Sequence, residues 1–456
     1  MMAARLLVLT AITSSLVTAC TVGPNFRESS PPPADHFRRS RFWARDVLLW
    51  APVAACVILL SVAPASTQAT SVGELRQNGL PRSILQRAPD YQRANLSVAT
   101  ASANGHAAVQ GVGSTTRSVR QSAEQGDARA QNNLGAMFAQ GDGVQKDDAE
   151  ALRWYRKAAR QGLAEAEHNL GVSYEEGRGV PQNLSQAATW YRKAADRGYP
   201  EAQNNLGLLY KQGRGLPQDF TQALLWFRRA AEKGLPAAED NLGLLYANGQ
   251  GVAKDLPQAA TWFRTAAEEG HSAAQLNLAA LYSAGHGVAQ DDAEAARWYR
   301  RAADSGDPEA QNDVGMLYAA GKGVPQDFGL AVQWYQKAAD QGYPGGDYNL
   351  GLCFQYGLGE AQDLAQAADW YRKSAYKAYV PAQINLGILY AKGEGVPQDY
   401  TEAYKWFTLV ISSVDPIYDD LRTAASLDRD VAATQMTASQ ITEARRRAQG
   451  PLPQAK

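Results

Sequence analysis

The hexapeptide NLGLLY occupies residues 205–210 and recurs without change at residues 241–246. Close variants follow in the same frame, NLAALY at 277–282 and NLGILY at 385–390. Successive copies are separated by 36 residues or by a multiple of 36. A sequence period of about 20 to 50 residues is typical of tandem supersecondary units that stack on one another.

Tryptophan and glycine keep the same period and mark the limits of the array. Eight tryptophans recur every 36 residues, at Trp154, Trp190, Trp226, Trp262, Trp298, Trp334, Trp370 and Trp406. A glycine opens each of the first seven units, at Gly126, Gly162, Gly198, Gly234, Gly270, Gly306 and Gly342, and Ala378 opens the eighth. The sequence therefore predicts eight tandem units over residues 126–413.

Each unit has the pattern of two amphipathic helices. In the third unit, the apolar stripe of the first helix, called the A helix, consists of Ala202, Leu206, Leu209 and Tyr210. The segment KQGRGLPQD, residues 211–219, then supplies two glycines and a proline that end this helix. The stripe of the second helix, called the B helix, consists of Ala223, Trp226, Phe227, Ala230 and Ala231. Since neither helix can bury its apolar face alone, the units must stack.

A glycine also recurs inside the A helix, for example Gly207. Glycine in a helix interior costs about 1 kcal/mol relative to alanine, so a packing gain must offset it. We expect a close approach of the B helix at this point. Ala279, the next smallest residue, takes this place in the fifth unit and fits the same steric explanation. Cys353 stands where other units have leucine, which predicts a buried, unreactive thiol.

The repeating unit, which reads AQNNLGLLYKQGRGLPQDFTQALLWFRRAA at residues 202–231, resembles the Sel-one-like repeat family (SLR), a relative of the tetratricopeptide repeat. The resemblance implies an all-α, right-handed α-solenoid of helix-turn-helix repeats. It also implies an adaptor that binds a protein or peptide along a groove lined by the A helices. Residues 414–456 are expected to form a helical cap and tail, with TASQ at 437–440 as a capping box.

Composition argues against several classes of partner and chemistry. The chain of 456 residues has 45 basic and 46 acidic residues, so it has no basic field that would gather nucleic acid. Its five histidines form no HExxH or similar pair, and its three cysteines fit no zinc site. The EAEH segment at 165–168 lacks partner carboxylate helices for a di-iron site, so we interpret His168 as a surface residue. We therefore expect no cofactor, no metal and no enzymatic activity.

The N-terminal segment 1–69 contains two competing export elements. Residues 1–37 look like a lipoprotein signal followed by a short leader, with Cys20 as the residue for lipid attachment. Residues 20–37 resemble the start of outer-membrane efflux channel lipoproteins. Residues 38–69 read as a second signal peptide or a membrane anchor, because about 20 apolar residues are long enough to span a bilayer. Which element is used, and whether it is cleaved, stays open.

The arginines around residues 38–45 favour a cytoplasmic location for that stretch and a periplasmic location for the repeats. We expect the protein in the cell envelope, exported or tethered to the inner membrane, and an outer-membrane lipoprotein is the weaker alternative. Residues 70–125, rich in small and polar side chains, predict a flexible linker between the membrane segment and the repeats.

The partner groove is predicted at positions of the A helix that vary from unit to unit. The seventh A-helix position holds Asn132, His168, Asn204, Asp240, Leu276, Asn312, Tyr348 and Ile384. Seven residues further on, the polar members are Glu175, Lys211, Ser283 and Gln355. We expect these residues off the buried stripe, with Leu276, Tyr348 and Ile384 as apolar anchors. Asparagines recur at the next position, and a backbone hydrogen bond between units is the expected reason; they are Asn169, Asn205, Asn241, Asn277 and Asn349.

These patterns favour a non-enzymatic scaffold of the cell envelope that binds a protein or peptide. Two alternatives remain. One is an envelope enzyme acting on β-lactam or cell-wall substrates, although this chain lacks the paired cysteines of the relatives to which β-lactam hydrolysis has been ascribed. The other is a structural factor of an envelope assembly.

Overall fold

The computed structural model describes residues 112–413 and 419–450, and these ranges contain only helices, turns and bends. The predicted leader, export elements and the linker up to residue 111 lie outside the described residues. Within the described ranges, no helix combines the length and the apolar content needed to span a bilayer. The chain divides into two compact units, an N-terminal unit whose described residues are 112–302 and a C-terminal unit that starts at Ala303.

The N-terminal unit begins with one additional helix and continues with alternating A and B helices. Its helices are α1 (Val112–Glu124), α2 (Ala128–Gln140), α3 (Asp148–Arg160), α4 (Ala164–Glu176), α5 (Leu184–Asp196), α6 (Pro200–Gln212), α7 (Phe220–Ala231), α8 (Pro236–Asn248), α9 (Leu256–Glu268), α10 (Ser272–Ala284) and α11 (Asp292–Asp304). The A helices α4, α6 and α8 each pack on the B helix of their own repeat and on the B helix that precedes it. The alternation confirms the helix-turn-helix prediction for this unit.

The C-terminal unit continues the alternation and ends in two further helices. Its helices are α12 (Pro308–Ala320), α13 (Phe328–Asp340), α14 (Pro344–Tyr356), α15 (Leu364–Tyr376), α16 (Val380–Lys392), α17 (Tyr400–Ser413), α18 (Asp419–Ala433) and α19 (Ala438–Gln449). Both α18 and α19 pack on α17, the last B helix. Thr437 and Gln440 form the predicted capping box at the start of α19. The C-terminal unit is thus also a stack of helix pairs, closed by the predicted helical cap.

The turn between the A and B helices depends on two glycines with left-handed backbone. In the third repeat, Gly213 ends α6 with φ +66°, and Gly215 has φ +70°. A Cβ on Gly215 would lie only 2.5 Å from the backbone carbonyl carbon of Leu184 in the preceding repeat, so the turn packs tightly on its neighbour. Asp219 then accepts a hydrogen bond from the backbone N–H of Gln222 and caps α7. Glycine therefore serves both the chain reversal and the stacking of repeats.

The glycine inside each A helix provides room for an aromatic ring. A Cβ on Gly207 would lie 2.6 Å from Cε1 of Phe227, in the B helix of the same repeat. The close approach predicted from the sequence is confirmed, although the group that approaches is a side chain rather than the B-helix backbone. Trp226 packs beside Tyr191 and Leu206, so this tryptophan contributes to the interface with the preceding repeat.

The predicted flexible linker is wrong in its last part, because residues Val112–Glu124 form α1. Val119 and Ala123 pack with Leu134 of α2 and with Trp154. Gln131 also donates a hydrogen bond from Nε2 to the backbone carbonyl of Ala123 at 3.1 Å. The apolar face of α1 is so short that it shows no lasting period, and the helix is stabilised by the first repeat rather than by its own sequence.

Candidate functional site

A ladder of side-chain hydrogen bonds joins the A helices of neighbouring repeats. In the N-terminal unit, Asn169 donates to Asn132 at 2.8 Å, Asn241 to Asn204 at 3.0 Å and Asn277 to Asp240 at 2.8 Å, while Asn205 Nδ2 lies 3.1 Å from His168 Nε2. The C-terminal unit has the equivalent bond from Asn349 to Asn312 at 2.7 Å. We call these pairs the asparagine ladder. Each pair lies 37 residues apart, so every bond connects one repeat to the preceding one.

The ladder corrects the interpretation of the recurring asparagines. They do connect neighbouring repeats, as expected, but through side chains rather than through the backbone. The partner is the seventh residue of the preceding repeat, which is the fifth residue of its A helix and one of the positions predicted to bind a ligand. Each recurring asparagine and its variable partner therefore form one hydrogen-bonded pair that connects two repeats.

Half of the predicted groove residues are buried between repeats. The exposed fraction is 1% for Asn132, 6% for Asn204, 7% for Asp240, 1% for Leu276, 0% for Asn312 and 6% for Glu175. The expectation that these residues lie off the buried surface is wrong, because an A helix has a neighbouring repeat on each flank. Leu276 in particular cannot be an exposed anchor.

The remaining predicted groove residues are half-buried, namely His168, Lys211, Ser283, Tyr348, Gln355 and Ile384. The ring of Tyr348 lies 5.7 Å from that of Tyr371 and 5.4 Å from that of Tyr379, as measured between centroids. Ile384 packs against the core of the C-terminal unit. These two residues therefore contribute mainly to packing, and their binding role stays a prediction.

His168 belongs to the ladder and not to a metal site. Its ring lies 5.6 Å from the Tyr191 ring and 5.2 Å from the Tyr199 ring, as measured between centroids. Burial lowers the pKa of His168 to about 4, so the imidazole is neutral at neutral pH. The interpretation of His168 as a surface residue is wrong, because Asn205 and the two tyrosines cover it. Among the described residues, no three His, Cys, Asp or Glu side chains come together in a way that could hold a metal ion.

Charged groups lie beside the ladder in the second, third and fourth repeats. Tyr191 donates its hydroxyl hydrogen to Glu175 Oε2 at 2.7 Å, and Arg214 Nη1 lies 3.3 Å from Glu175 Oε1. Glu175 thus joins its own B helix to the turn of the next repeat. Burial lowers the pKa of Lys211 to about 8, and the nearby carboxylate of Asp240 opposes this effect. Each of the two acids, Glu175 and Asp240, thus has a base nearby.

A further A-helix surface of the N-terminal unit lies beside the ladder and includes buried as well as half-buried and exposed residues. It consists of an apolar row, Val172, Leu208, Leu244 and Ala280, and of a second row four residues further on, Glu176, Gln212, Asn248 and Ala284. Positions four residues apart share one helix face, which places the two rows side by side. We call these eight residues the A face. The apolar row forms its floor, since Leu208 is 8% and Leu244 6% exposed.

The C-terminal unit has the equivalent rows. Met316, Leu352 and Ile388 form the apolar row, and Ala320, Tyr356 and Lys392 form the more exposed row. Tyr356 is 38% exposed and is one of the few large apolar side chains open to solvent among the described residues. The groove prediction selected positions beside these rows. The sequence did contain a signal for these rows, because one apolar row lies outside the stripe of Ala202, Leu206 and Leu209 and the stripe does not explain it.

Cys353 agrees with its prediction. Its side chain is fully buried in the core of the C-terminal unit. Burial raises the pKa of the thiol to about 12, which keeps it protonated and unreactive.

Paired helices, left-handed glycine turns and the asparagine ladder define a tandem helical repeat protein of the α-solenoid class. The Sel1 repeat profile matches eight consecutive segments, 128–163, 164–199, 200–235, 236–271, 272–307, 308–343, 345–379 and 380–409. The chain therefore belongs to the Sel1 repeat family, whose members typically act as scaffolds for interactions between proteins.

Solved structures give similar relatives. A Sel1 repeat protein from Oxalobacter formigenes is 34% identical over 50% of this chain and 96% of its own, with a TM-score of 0.46. A protective antigen present in uropathogenic Escherichia coli strains, described as displaying an SLR fold, is 29% identical over 73% of this chain and 93% of its own, with a TM-score of 0.45. An immunity protein from Pseudomonas aeruginosa is 22% identical over 47% of this chain and 81% of its own, with a TM-score of 0.35. The search of curated proteins finds no match to this chain.

Proposed function

We propose that this protein is a non-enzymatic adaptor that binds a protein or peptide partner on the A face. The supporting observation is that the A face combines an apolar floor with a half-exposed polar row. An apolar centre with a polar rim is the usual composition of a protein-binding surface. The groove residues of the sequence prediction contribute indirectly, because the ladder fixes the spacing between the A helices that carry these rows.

The partner is expected to be an extended segment that contacts several repeats. The apolar row offers one small or medium side chain per repeat, from Val172 to Ala280. The neighbouring row changes from Glu176 through Gln212 and Asn248 to Ala284, so its polarity decreases along the N-terminal unit. A ligand that matches this gradient would bind in one direction, with its polar groups on the second and third repeats.

We propose further that the adaptor works in the cell envelope. This part rests on the export elements read from the segment 1–69, which lies outside the described structure. Fractionation of cells that produce the full chain, combined with sequencing of the mature N-terminus, tests this location. Recovery of the uncleaved chain in the cytosol would contradict it.

Affinity capture with charge variants tests the binding surface. Gln212→Arg combined with Asn248→Arg places two cations on the A face. Leu225→Arg combined with Thr261→Arg is the matched control, since both of these residues are exposed on B helices. We expect the A-face variant to lose proteins that the parent and the control retain. Equal recovery by all three proteins, each shown by circular dichroism to be folded, would contradict the assignment.

A further inference from the structure

The fourth position of each A helix touches the end of the preceding B helix. Five repeats have glutamine there, and its Nε2 donates to the backbone carbonyl of the residue eight positions earlier, at distances of 3.0 to 3.3 Å. These glutamines are Gln131, Gln203, Gln275, Gln311 and Gln383. In these five repeats the position supplies a hydrogen-bond donor to the end of the preceding helix.

Three repeats have an acid at this position, and two of these acids form an ion pair with a cation of the same repeat. Glu167 pairs with Arg197 at 3.0 Å, and Asp347 pairs with Lys377 at 2.5 Å. In both pairs the cation stands 30 positions after the acid, at the end of the B helix. A carboxylate at the fourth position is thus normally accompanied by a positive charge.

Glu239 in the fourth repeat breaks this rule. The residue at the position of those cations is Glu269, which caps the end of α9. The side chain of Glu239 is 3% exposed, and its Oε2 atom is buried without a hydrogen-bond partner. By its repeat position, Glu239 corresponds to the glutamines that donate to a carbonyl, which here would be that of Ala231.

The remaining charged groups around this position do not replace the missing cation. Lys233 follows the end of α7, but its Nζ donates to the Gly198 carbonyl at 2.7 Å. His271 caps α10, where its Nδ1 accepts from the Ala274 N–H at 3.3 Å. The nearby Lys211 of α6 acts on Asp240 rather than on Glu239. Two arginines lie in the last turn of α7, but Arg228 donates to the Tyr246 hydroxyl at 3.1 Å and Arg229 lies over the Trp226 ring, 4.7 Å from its centroid. Three further charged residues near these helix ends are acidic, namely Glu201, Glu232 and Glu268.

We propose that Glu239 is a proton-sensitive joint between the third and fourth repeats. When protonated, its carboxyl group donates to the Ala231 carbonyl as glutamine does elsewhere. When ionised, the carboxylate has no donor to offer, lies buried without a cation and is repelled by Glu269. Ionisation therefore loosens the contact between the end of α7 and the start of α8. The joint connects α7 to the start of α8, the helix that carries Leu244 of the A face, so it affects the position of Leu244 relative to the third repeat.

The direction of the pH effect follows from the pKa of Glu239. Burial, with a smaller contribution from Glu269, raises this pKa from 4.5 to about 7. An opened joint releases the proton at a lower pH than the closed joint does. The closed joint is therefore most stable below the ordinary pKa, loses stability as the pH rises towards about 7, and loses no more above it.

Hydrogen–deuterium exchange of the full chain tests the proposal. Peptides from the end of α7 and the start of α8 are compared at about pH 5 and about pH 8, after correction for the intrinsic rate. We expect protection to fall about tenfold or more at the higher pH, because each unit of pKa difference changes the opening equilibrium tenfold. Glu239→Gln should remove this dependence, because it supplies the donor found in five other repeats.

Glu269→Lys is the second variant, since it restores the cation present beside Glu167 and Asp347. It should also remove the pH dependence while leaving Glu239 in place. If Glu239→Gln does not fold, Glu269→Lys carries the test alone. The same loss of protection at the higher pH in the parent and in the folded variants would overturn the proposal, as would a parent whose protection does not change.

Discussion

Asn241 of the fourth repeat donates its Nδ2 hydrogens both to Asn204 Oδ1 in the third repeat, at 3.0 Å, and to the carbonyl of Ala237 in its own helix, at 2.9 Å. The first bond connects two A helices, and the second fixes the direction of the amide. Asn204 is 6% exposed, so water cannot readily replace a lost donor.

Replacing Asn241 by alanine should therefore destabilise the array. We expect the free energy of unfolding to fall by about 1 to 3 kcal/mol, the usual penalty for an unsatisfied buried acceptor. Urea denaturation monitored by circular dichroism measures this change. Asn133→Ala is the matched control, because Asn133 has the same position in the first repeat but is exposed. Equal losses in both variants would show that the ladder bond contributes nothing.

Gly207→Ala should lower stability although alanine favours helices. The new Cβ would lie 2.6 Å from the Phe227 ring, and overpacking of this kind costs about 1 to 3 kcal/mol. The gain in helix propensity, about 1 kcal/mol, offsets only part of this. Gly329→Ala in α13 is the control, since its Cβ would meet only one side-chain oxygen, at 3.3 Å. A higher melting temperature for Gly207→Ala would contradict the packing explanation.

Ala378 has φ +61°, whereas a glycine occupies this turn position in the other seven repeats. A left-handed conformation costs a residue with a Cβ about 1 to 2 kcal/mol. We expect Ala378→Gly to raise the melting temperature, although the greater freedom of glycine in the unfolded chain reduces the gain.

The reciprocal substitution separates backbone strain from packing. Gly342 has φ +81°, and a Cβ at this position would meet no atom within 4 Å. Gly342→Ala should therefore lower the melting temperature through strain alone. Unchanged melting temperatures in both variants would contradict a role for backbone strain at this turn.

The pH dependence of stability should include a contribution from His168. Burial lowers its pKa from 6.5 to about 4 in the folded protein, so the unfolded chain binds a proton first as the pH falls. Stability is thus lost between about pH 6.5 and about pH 4. His168→Asn introduces the residue that stands at the equivalent positions Asn132 and Asn204. This variant should lose less stability as the pH falls, which urea titrations at several pH values measure. The same slope in parent and variant would contradict a neutral, buried imidazole.

The repeat, its two helices and the steric role of the internal glycine could be predicted from the sequence, because each repeats with a fixed period. The presence of only glycine or alanine at this A-helix position, as at Gly207 and Ala279, showed directly that a larger side chain does not fit there. The identity of the group above the glycine, a ring of the same repeat, could not be predicted, since periodicity does not give the rotation of one helix about another. Helix α1 was missed because its packing comes from Leu134 and Trp154.

The groove prediction is wrong about exposure for its six buried residues for a related reason, while binding by the other six stays a prediction. Variation among repeats selected Asn204 and Lys211, but variation does not distinguish a solvent-facing residue from one that matches a variable neighbour. Asn204 and its equivalents face the recurring asparagine of the next repeat and not the solvent. On the same helix, Gln212 is half-buried and Leu208 is 8% exposed.

The pair of Glu239 and Glu269 could in principle have been found from the sequence. Glu167 with Arg197 and Asp347 with Lys377 occupy the same two repeat positions. Comparing the repeats at these two positions shows that only the fourth repeat combines two acids. The burial of Glu239, which is the main reason why its pKa is raised, could not be predicted from the spacing.

The most direct test of the binding surface is site-specific photo-crosslinking in living cells. A photoreactive amino acid is placed at Gln212 or Asn248 on the A face, and at Leu225 or Thr261 on the B helices as controls. If the partner binds on the A face, both A-face positions should give a protein adduct of one discrete mass, and the B-helix positions should give none. An adduct that forms only from the B-helix positions, or no adduct from the A face, would contradict it.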